Sequence, residues 1–472
     1  MSNSTAASEA VATSSSSTTA KLGGSGLLLA VVYVTALFFI WAFVTNLTDP
    51  LVKSMKVIYT LSDVGSQLNQ LAFFLAYLMA IPSGACLAKY GYANSILLGL
   101  GAIVAGCLVA WSTTYTHTFG TVLLGLFVAA SGISLLQVAA NPLIASMGDQ
   151  KRAPFRLNLS QAFNSMGAFL GAMFGSKFLL SGPLFEKNVV ITDGMKATGL
   201  GFVTNVYLTV AVILAVFTLA VFLVRKTIST HAPKMAAHSE SSFAAFKSKW
   251  AGLGALGIFL CVGGEVSVMS SMIFFLEEPQ IMNLPSQVAG FLGPLFMLFA
   301  MFGRFIGSWL MTLAKATTML TIVALGAVVL CVTVIATYHL PATPLGGSLP
   351  IPTFPGVYHA PWTTGFLPGF AAILIGLFNS IMFPTIFTLT LERSSAPASA
   401  TSGLMCMAIC GGGIMSVVSG FVAGRFLLYV QVGARSLAFV VPLFCYAYVL
   451  WFVRVARRAP THAIEEGAGS SH

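Results

Sequence analysis

Apolar runs of about 20 residues recur along this chain, and VYLTVAVILAVFTLAVFLV (206–224) is one of them. That is the length an α-helix needs to cross the hydrocarbon core of a bilayer. Within lipid the backbone must satisfy its own polar groups, which leaves helices or closed barrels. Barrel strands alternate apolar and polar residues, and these runs do not. Only 8% of the residues are charged, against about 25% in soluble domains. The chain therefore reads as an all-α polytopic membrane protein.

The runs fall near 26–47, 66–88, 94–113, 118–146, 157–180, 199–224, 252–276, 287–312, 316–338, 365–390, 399–424 and 435–456. About twelve spans result, six on each side of a polar stretch. The expected organisation is a disordered tail (1–25), an N-terminal six-helix bundle (26–224), a cytoplasmic linker (225–250), a C-terminal six-helix bundle (251–456) and a tail (457–472). The first tail lacks the features of a cleaved signal, so the first run is expected to stay as a helix. An even number of spans puts both termini on one side. With the termini in the cytoplasm, sixteen of the 23 basic residues, Arg304 among them, fall inside and seven outside. This is the positive-inside bias of a multi-pass inner-membrane protein. It accounts for the net charge of +10 without a nucleic-acid partner.

The chemistry expected of an enzyme is missing. All seven Cys lie in apolar runs and all seven His in loops or tails, so neither metal nor haem is expected. No Walker motif marks ATP as the energy source. No cofactor is expected.

The two halves echo each other. QVAANP places Gln137 five residues before Pro142, and NSIMFP places Asn379 five before Pro384. PSGACLAKYG (82–91) has its counterpart in GRFIGSWLM (303–311). The first span carries Asn46 and Asp49, the seventh Glu265. Transporters built from repeats look like this, with substrate held near the midplane between halves.

Ionisable groups within a span cost on the order of +3 kcal/mol by insertion scales, so they face the protein interior and mark function by default. Asp49 and Glu265 are the two carboxylates so placed. Each has a structural alternative, Asp49 as an interfacial group beside Pro50 and Glu265 as a hydrogen bond to a neighbouring helix. The Gly263–Gly264 pair lets another helix come close. Amides form stripes: Asn46 shares a face with Asp49, Gln137 with Asn141, and Asn158, Gln161 and Asn164 step three at a time. Asn69 and Gln70 open the second span, with Phe73 and Tyr77 continuing the face of Gln70. Amides offer donors and acceptors without net charge, which suits a neutral polyhydroxylated solute, and aromatics can pack its ring. Amides also glue helices together, and for any one of them both readings stand open. Arg156 could hold a substrate anion or belong with Lys151 and Arg152 in a loop.

FFIWAFVTNLTDPL (38–51), LNQLAFFLAYLMAIPSGACLAKYGY (68–92), QVAANPL (137–143), FRLNLSQAFNSMGAFLG (155–171), GGEVS (263–267), GRFIGS (303–308) and GLFNSIMFPTIFTLTL (376–391) together resemble the fucose–galactose–glucose–proton symporters of the major facilitator superfamily. The resemblance implies two pseudo-symmetric six-helix bundles and sugar uptake by alternating access, with the proton as coupling ion. Fucose-transporting members carry a Glu where Gln137 stands, so the chain looks closer to the glucose/galactose branch, which also includes N-acetylglucosamine permeases. The expected site comprises Asp49 or Glu265 as proton carrier and Asn46, Gln70, Phe73, Tyr77, Gln137, Asn141, Gln161, Asn164 and Asn379 as sugar ligands. An uncoupled facilitator is the alternative. The expected partners are a small sugar and the lipid bilayer, with the protein acting as a monomer.

Overall fold

Two prolines and one glycine decide where the expected rods break. The structure, a computed structural model, describes residues 26–47, 54–55, 58–60, 75–179, 192–233, 242–337, 340–353, 356–429 and 434–462. In the first half the helices are α1 (Gly26–Asn46), α2 (Ala80–Trp111), α3 (Phe119–Ser146), α4 (Ala153–Leu179) and α5 (Asp193–His231). In the second half they are α6 (Lys249–Leu276), α7 (Leu295–Leu310), α8 (Ala316–Ala336), α9 (Phe366–Asn379), α10 (Met382–Leu391), α11 (Ala398–Met407), α12 (Gly411–Tyr429) and α13 (Val440–Ala456).

Helix α2 carries the second and third expected spans in one assignment. At Gly91 its backbone leaves helical geometry, with φ 75° and ψ 173°. Side-chain-bearing residues rarely adopt that φ, so glycine makes the corner between the two rods. Ten helices among the described residues are long and apolar enough to cross a membrane. Dividing α2 at Gly91 and adding α4 gives the twelve expected rods. Helix α5 continues to His231, inside the stretch expected as linker.

Proline alters two other rods. Lacking an N–H, it leaves the carbonyl four residues earlier without its helical donor. Pro142 does this to Val138 within α3, and Pro384 does it to Ser380, where α9 ends and α10 begins. Both carbonyls find other donors. The Ser402 hydroxyl of α11 donates to Val138 O at 2.8 Å, and Arg304 Nε of α7 donates to Ser380 O at 3.0 Å. The first of these bonds joins the two bundles.

Buried aromatics fill the second bundle, where Phe275, Phe296, Phe387 and Phe452 are sealed from solvent. Aliphatic residues such as Ile96, Leu100 and Ile103 of α2 do so in the first. Helix α5 turns Val216, Leu219 and Leu223 outward; an apolar face of that size on a soluble monomer would demand a partner, and lipid supplies one. The Pro/Gly-rich stretch after α8 forms an antiparallel hairpin of β1 (Pro344–Thr353) and β2 (Gly356–Thr363) with Ile351 opposite Tyr358. Prolines argue against central strands, but a two-stranded ribbon has only edges, where a missing donor costs little.

Contacts between the bundles cluster toward the loops that follow α3 and α10. Besides the Ser402 bond, Asn141 Nδ2 reaches Cys406 Sγ at 3.9 Å. A Cβ on Gly403 would stand 2.9 Å from Ala80 O. Asn158 Nδ2 meets Thr385 Oγ1 at 3.4 Å, and the rings of Phe163 and Phe305 pack edge to face. Gln150 Nε2, in the loop after α3, donates to His462 O at 2.8 Å. Among the described residues the bundles are thus joined on that side.

Candidate functional site

Above these contacts lies a cavity of about 190 Å³ at the seam of the two bundles. The first bundle lines it with Trp41, Ala42, Thr45 and Asn46 from α1, Tyr77 just ahead of α2, Gln137 from α3, and Gln161 and Asn164 from α4. The second contributes Val262 and Glu265 from α6, Arg304 from α7, Phe383 from α10, and Ile409 from the 3₁₀ turn Ala408–Cys410 between α11 and α12. A larger pocket of about 340 Å³ lies beside the hairpin, but Gln280, Thr337, Thr343 and Thr364 are its polar lining and none ionises. The smaller cavity holds the chemistry.

The amides are held in place before any ligand arrives. Asn46 Nδ2 donates to Ala42 O at 2.8 Å, and Asn164 Nδ2 donates to Phe38 O of α1 at 3.0 Å. Gln161 Nε2 donates to Asn141 Oδ1 at 3.5 Å, and Tyr77 shares a side-chain hydrogen bond with Gln137. Each carboxamide commits one N–H to the framework in this way and keeps further polar capacity for a solute. The arrangement can bind hydroxyl groups without reorganising.

The stripe on α4 divides. Gln161 and Asn164 line the cavity, whereas Asn158, one turn nearer the loop, is fully buried and bonds Pro154 O at 2.8 Å as well as Thr385. On this one helix some amides line the cavity and another packs between helices. Asn141 supports Gln161 from behind. Asn379 lies in the packed second bundle, outside the lining, where its Oδ1 accepts from Cys261 Sγ at 3.7 Å. Asp49, Gln70 and Phe73 lie outside the described residues. Arg156 caps α3, donating to Ile144 O at 3.0 Å and Ala145 O at 2.6 Å. Its donors are spent on carbonyls, which fits the loop reading. Among the described residues no cluster of three metal-ligating side chains occurs.

Arg304 corrects the reading of the charges. Counted among the loop cations, it lies instead inside α7 with its side chain 12% exposed, and fifteen inner basic residues then remain against seven. Its Nη2 stands 3.9 Å from Glu265 Oε1, whose side chain is 13% exposed. Its Nη1 donates to Ser165 Oγ of α4, across the seam. Gly303 brings α7 in close, since a Cβ there would stand 2.5 Å from Leu377 O, and Arg304 Nε then reaches the carbonyl that Pro384 freed. A charged pair taken out of water needs further bonding, and Arg304 supplies two further bonds, from Nε and Nη1. An Arg in the run LFMLFAMFGRFIGSWL was the signal that could have found it, had it been weighed as an intramembrane charge.

Two close helix approaches immediately precede Glu265 in the chain. A Cβ on Gly263 would stand 2.5 Å from Met415 Cγ of α12, and one on Gly264 3.2 Å from Cys445 Cβ of α13. The glycine pair admits both helices, as its sequence suggested.

Residues 28–417 match the Major Facilitator Superfamily. A glucose/galactose transporter of Brucella abortus biovar 1 (strain 9-941) is 32% identical over 424 residues, covering 90% of this chain and 93% of the relative. An L-fucose-proton symporter of Escherichia coli (strain K12) is 29% identical over 443 residues, covering 90% and 93%. The crystal structure of FucP, a transporter of the same superfamily in the outward conformation, aligns with a TM-score of 0.73 at 25% identity, over 91% of this chain and 99% of that one.

Proposed function

We propose that this chain, which belongs to the Major Facilitator Superfamily, is a secondary transporter that takes up a neutral hexose of the glucose or galactose type together with a proton. One observation carries the reading: Asn46, Tyr77, Gln137, Gln161, Asn164 and Glu265, singled out on five separate segments, line a single cavity between two bundles. The amide wall serves sugar hydroxyls, and Trp41 and Phe383 offer apolar surface to the ring. Arg304 and Glu265 add one charge of each sign, so a neutral solute leaves the site balanced. Gln137, where fucose-transporting members carry Glu, favours the glucose/galactose type over fucose, with an N-acetylglucosamine permease as the alternative within the family.

Glu265 and Asp49 are the candidate proton carriers. A carboxylate whose surroundings close around it gains affinity for a proton, and alternating access opens and closes the surroundings once per cycle. The basic-residue bias places both termini in the cytoplasm. The joined side of the bundles then faces inward and the cavity outward. One chain completes the cavity, so a monomer suffices.

The test is a binding panel of glucose, galactose, mannose, fucose and N-acetylglucosamine on purified protein, followed by sugar addition to energised cells. Glucose or galactose should bind best, and its entry should alkalinise the medium. Binding without alkalinisation would leave an uncoupled facilitator, a reading favoured by the pairing of Glu265 with Arg304. No binding of any hexose would sink the proposal.

A further inference from the structure

The turn of α6 that carries Glu265 faces two orphaned polar groups outside the cavity lining, a carboxamide N–H and a phenol hydroxyl. Asn379 of α9 is 2% exposed and Tyr446 of α13 is fully buried. Asn379 Nδ2 and Tyr446 Oη are both sealed from solvent without a hydrogen-bond partner. A buried polar group left unpaired is costly, and native structures rarely keep one without a use. Here two of them, from different helices, abut one turn. Asn379 touches Cys261 through the 3.7 Å bond from its thiol. The Tyr446 ring lies against Gly264, where a Cβ would stand 3.3 Å from two of its ring carbons. Cys261 is four residues before Glu265, and helical side chains lean toward the preceding turn. The Glu265 side chain, which now points to Arg304, can therefore swing back over the residue that Asn379 touches.

We propose that Asn379 and Tyr446 form a receiving site for the Glu265 side chain in its neutral, protonated form. The inference rests on Glu265 being the proton carrier. As a carboxylate, Glu265 faces the cavity and Arg304, because carrying a charge into the second bundle is prohibitive. A proton entering from the cavity water binds one carboxylate oxygen and cancels the charge, and the attraction to Arg304 lapses. The neutral group then turns inward. Its carbonyl oxygen accepts from Asn379 Nδ2, and its new O–H donates to Tyr446 Oη. Arg304 keeps Ser380 O and Ser165 Oγ as acceptors. When the cavity opens on the other side, the side chain returns, the proton leaves to water and the ion pair re-forms. Among the described residues the titratable and charged groups facing Glu265 are Arg304 of α7, Tyr446 of α13, Cys261 of its own helix and Tyr77 across the cavity, while Cys331 of α8 and Cys445 of α13 stand around Tyr446.

The experiment is an acid titration of the full-length purified protein followed by infrared difference spectroscopy, with uptake measured in parallel. A protonated-carboxyl C=O band should appear in the wild type and vanish in Glu265→Gln. In Tyr446→Phe and in Asn379→Leu the band should move to higher wavenumber, because a hydrogen bond to the acid is lost. The pH midpoint of uptake should fall by about half to one unit in each, one ordinary hydrogen bond's effect on a titration. Phe fills the space of Tyr446 and removes only an unpartnered hydroxyl, so a merely structural role predicts no movement of either readout. Should one variant fail to fold, the other gives the same two readouts. If Glu265→Gln abolishes accumulation while both variants keep the wild-type band and midpoint, the receiving site is refuted and the coupling reading survives. If Glu265→Gln accumulates sugar normally, both fall together.

Discussion

The two bundles repeat one backbone device and put it to different uses. Pro142 frees Val138 O, which holds a hydroxyl from the opposite bundle, while Pro384 frees Ser380 O, which holds Arg304 of its own bundle. The first bundle walls the cavity with neutral amides on helices that stay continuous at that level. The second walls it with an ion pair and apolar groups, on spans interrupted at Ser380–Ile381 and at Ala408–Cys410. The contrast extends to other charges. Among the described residues the ion pair of the first bundle, Lys196–Asp193, lies at the surface, whereas Arg304–Glu265, Arg393–Glu392 and Arg435–Glu278 in the second are wholly or partly buried. Under the proposed function, one half reads the neutral solute and the other holds charge and bends.

Removing Arg304 breaks that division hardest. Arg304→Met strands Glu265, and loss of one partner of a buried pair costs about 3–5 kcal/mol. Uptake should disappear and thermal stability should fall sharply, while adding Glu265→Gln should recover much of the stability but not accumulation. A single variant that melts with the wild type would show that the pair is solvated and the contrast between bundles false.

Substitution on the amide wall should act on affinity instead. Gln137→Ala should weaken sugar binding by about tenfold or less, the worth of one neutral hydrogen bond, with little change in melting temperature. Titration calorimetry distinguishes this from the Arg304 result, and an unchanged Kd would move the recognition surface away from the first bundle.

The seam comes next. Ser402→Ala leaves Val138 O without its donor and removes about 1 kcal/mol from the joined side. The outward-to-inward ratio should fall about fivefold, read as faster labelling of a cysteine placed at Ser83. Unaltered labelling would mean that the freed carbonyl plays no part in holding the bundles.

The smallest effect lies at the end of the second bundle away from the joined side. Burial holds the Glu278 carboxyl above its ordinary value of 4.5, against the opposing pull of Arg435. The folded protein therefore binds that proton more tightly than the unfolded chain. Its contribution to stability is present below 4.5 and is lost as pH rises through the raised folded value. Glu278→Gln should flatten this fall on the alkaline side of 4.5 in pH-dependent melting curves. A variant curve parallel to the wild type would remove Glu278 from the list of buried charges.

Legibility differed by residue type. Gln161 and Asn158 are both amides on one face of α4, and only their depth along the helix sends one to the cavity and the other into the seam. Their sequence context is nearly the same, so no local pattern could separate them. Asn379, placed by its echo of Gln137, illustrates the limit of reading a repeat: the proline that follows it serves Arg304, and the amide itself turns into the bundle. Arg304 was visible as a letter and misplaced as a location, because a basic residue near a span end is usually a loop cation. The hairpin at 344–363 was hidden by its prolines.

By itself the sequence determined the membrane-spanning class, the twelve rods and the pool of polar side chains within them. Those follow from run length, charge content and the cost of a polar group in lipid, all of which are local. Which of those side chains share a cavity was decided by tertiary structure alone. Convergence depends on rotation and depth of helices far apart in the chain, set by close contacts such as those at Gly303 and Gly264 and by the carbonyls two prolines set free.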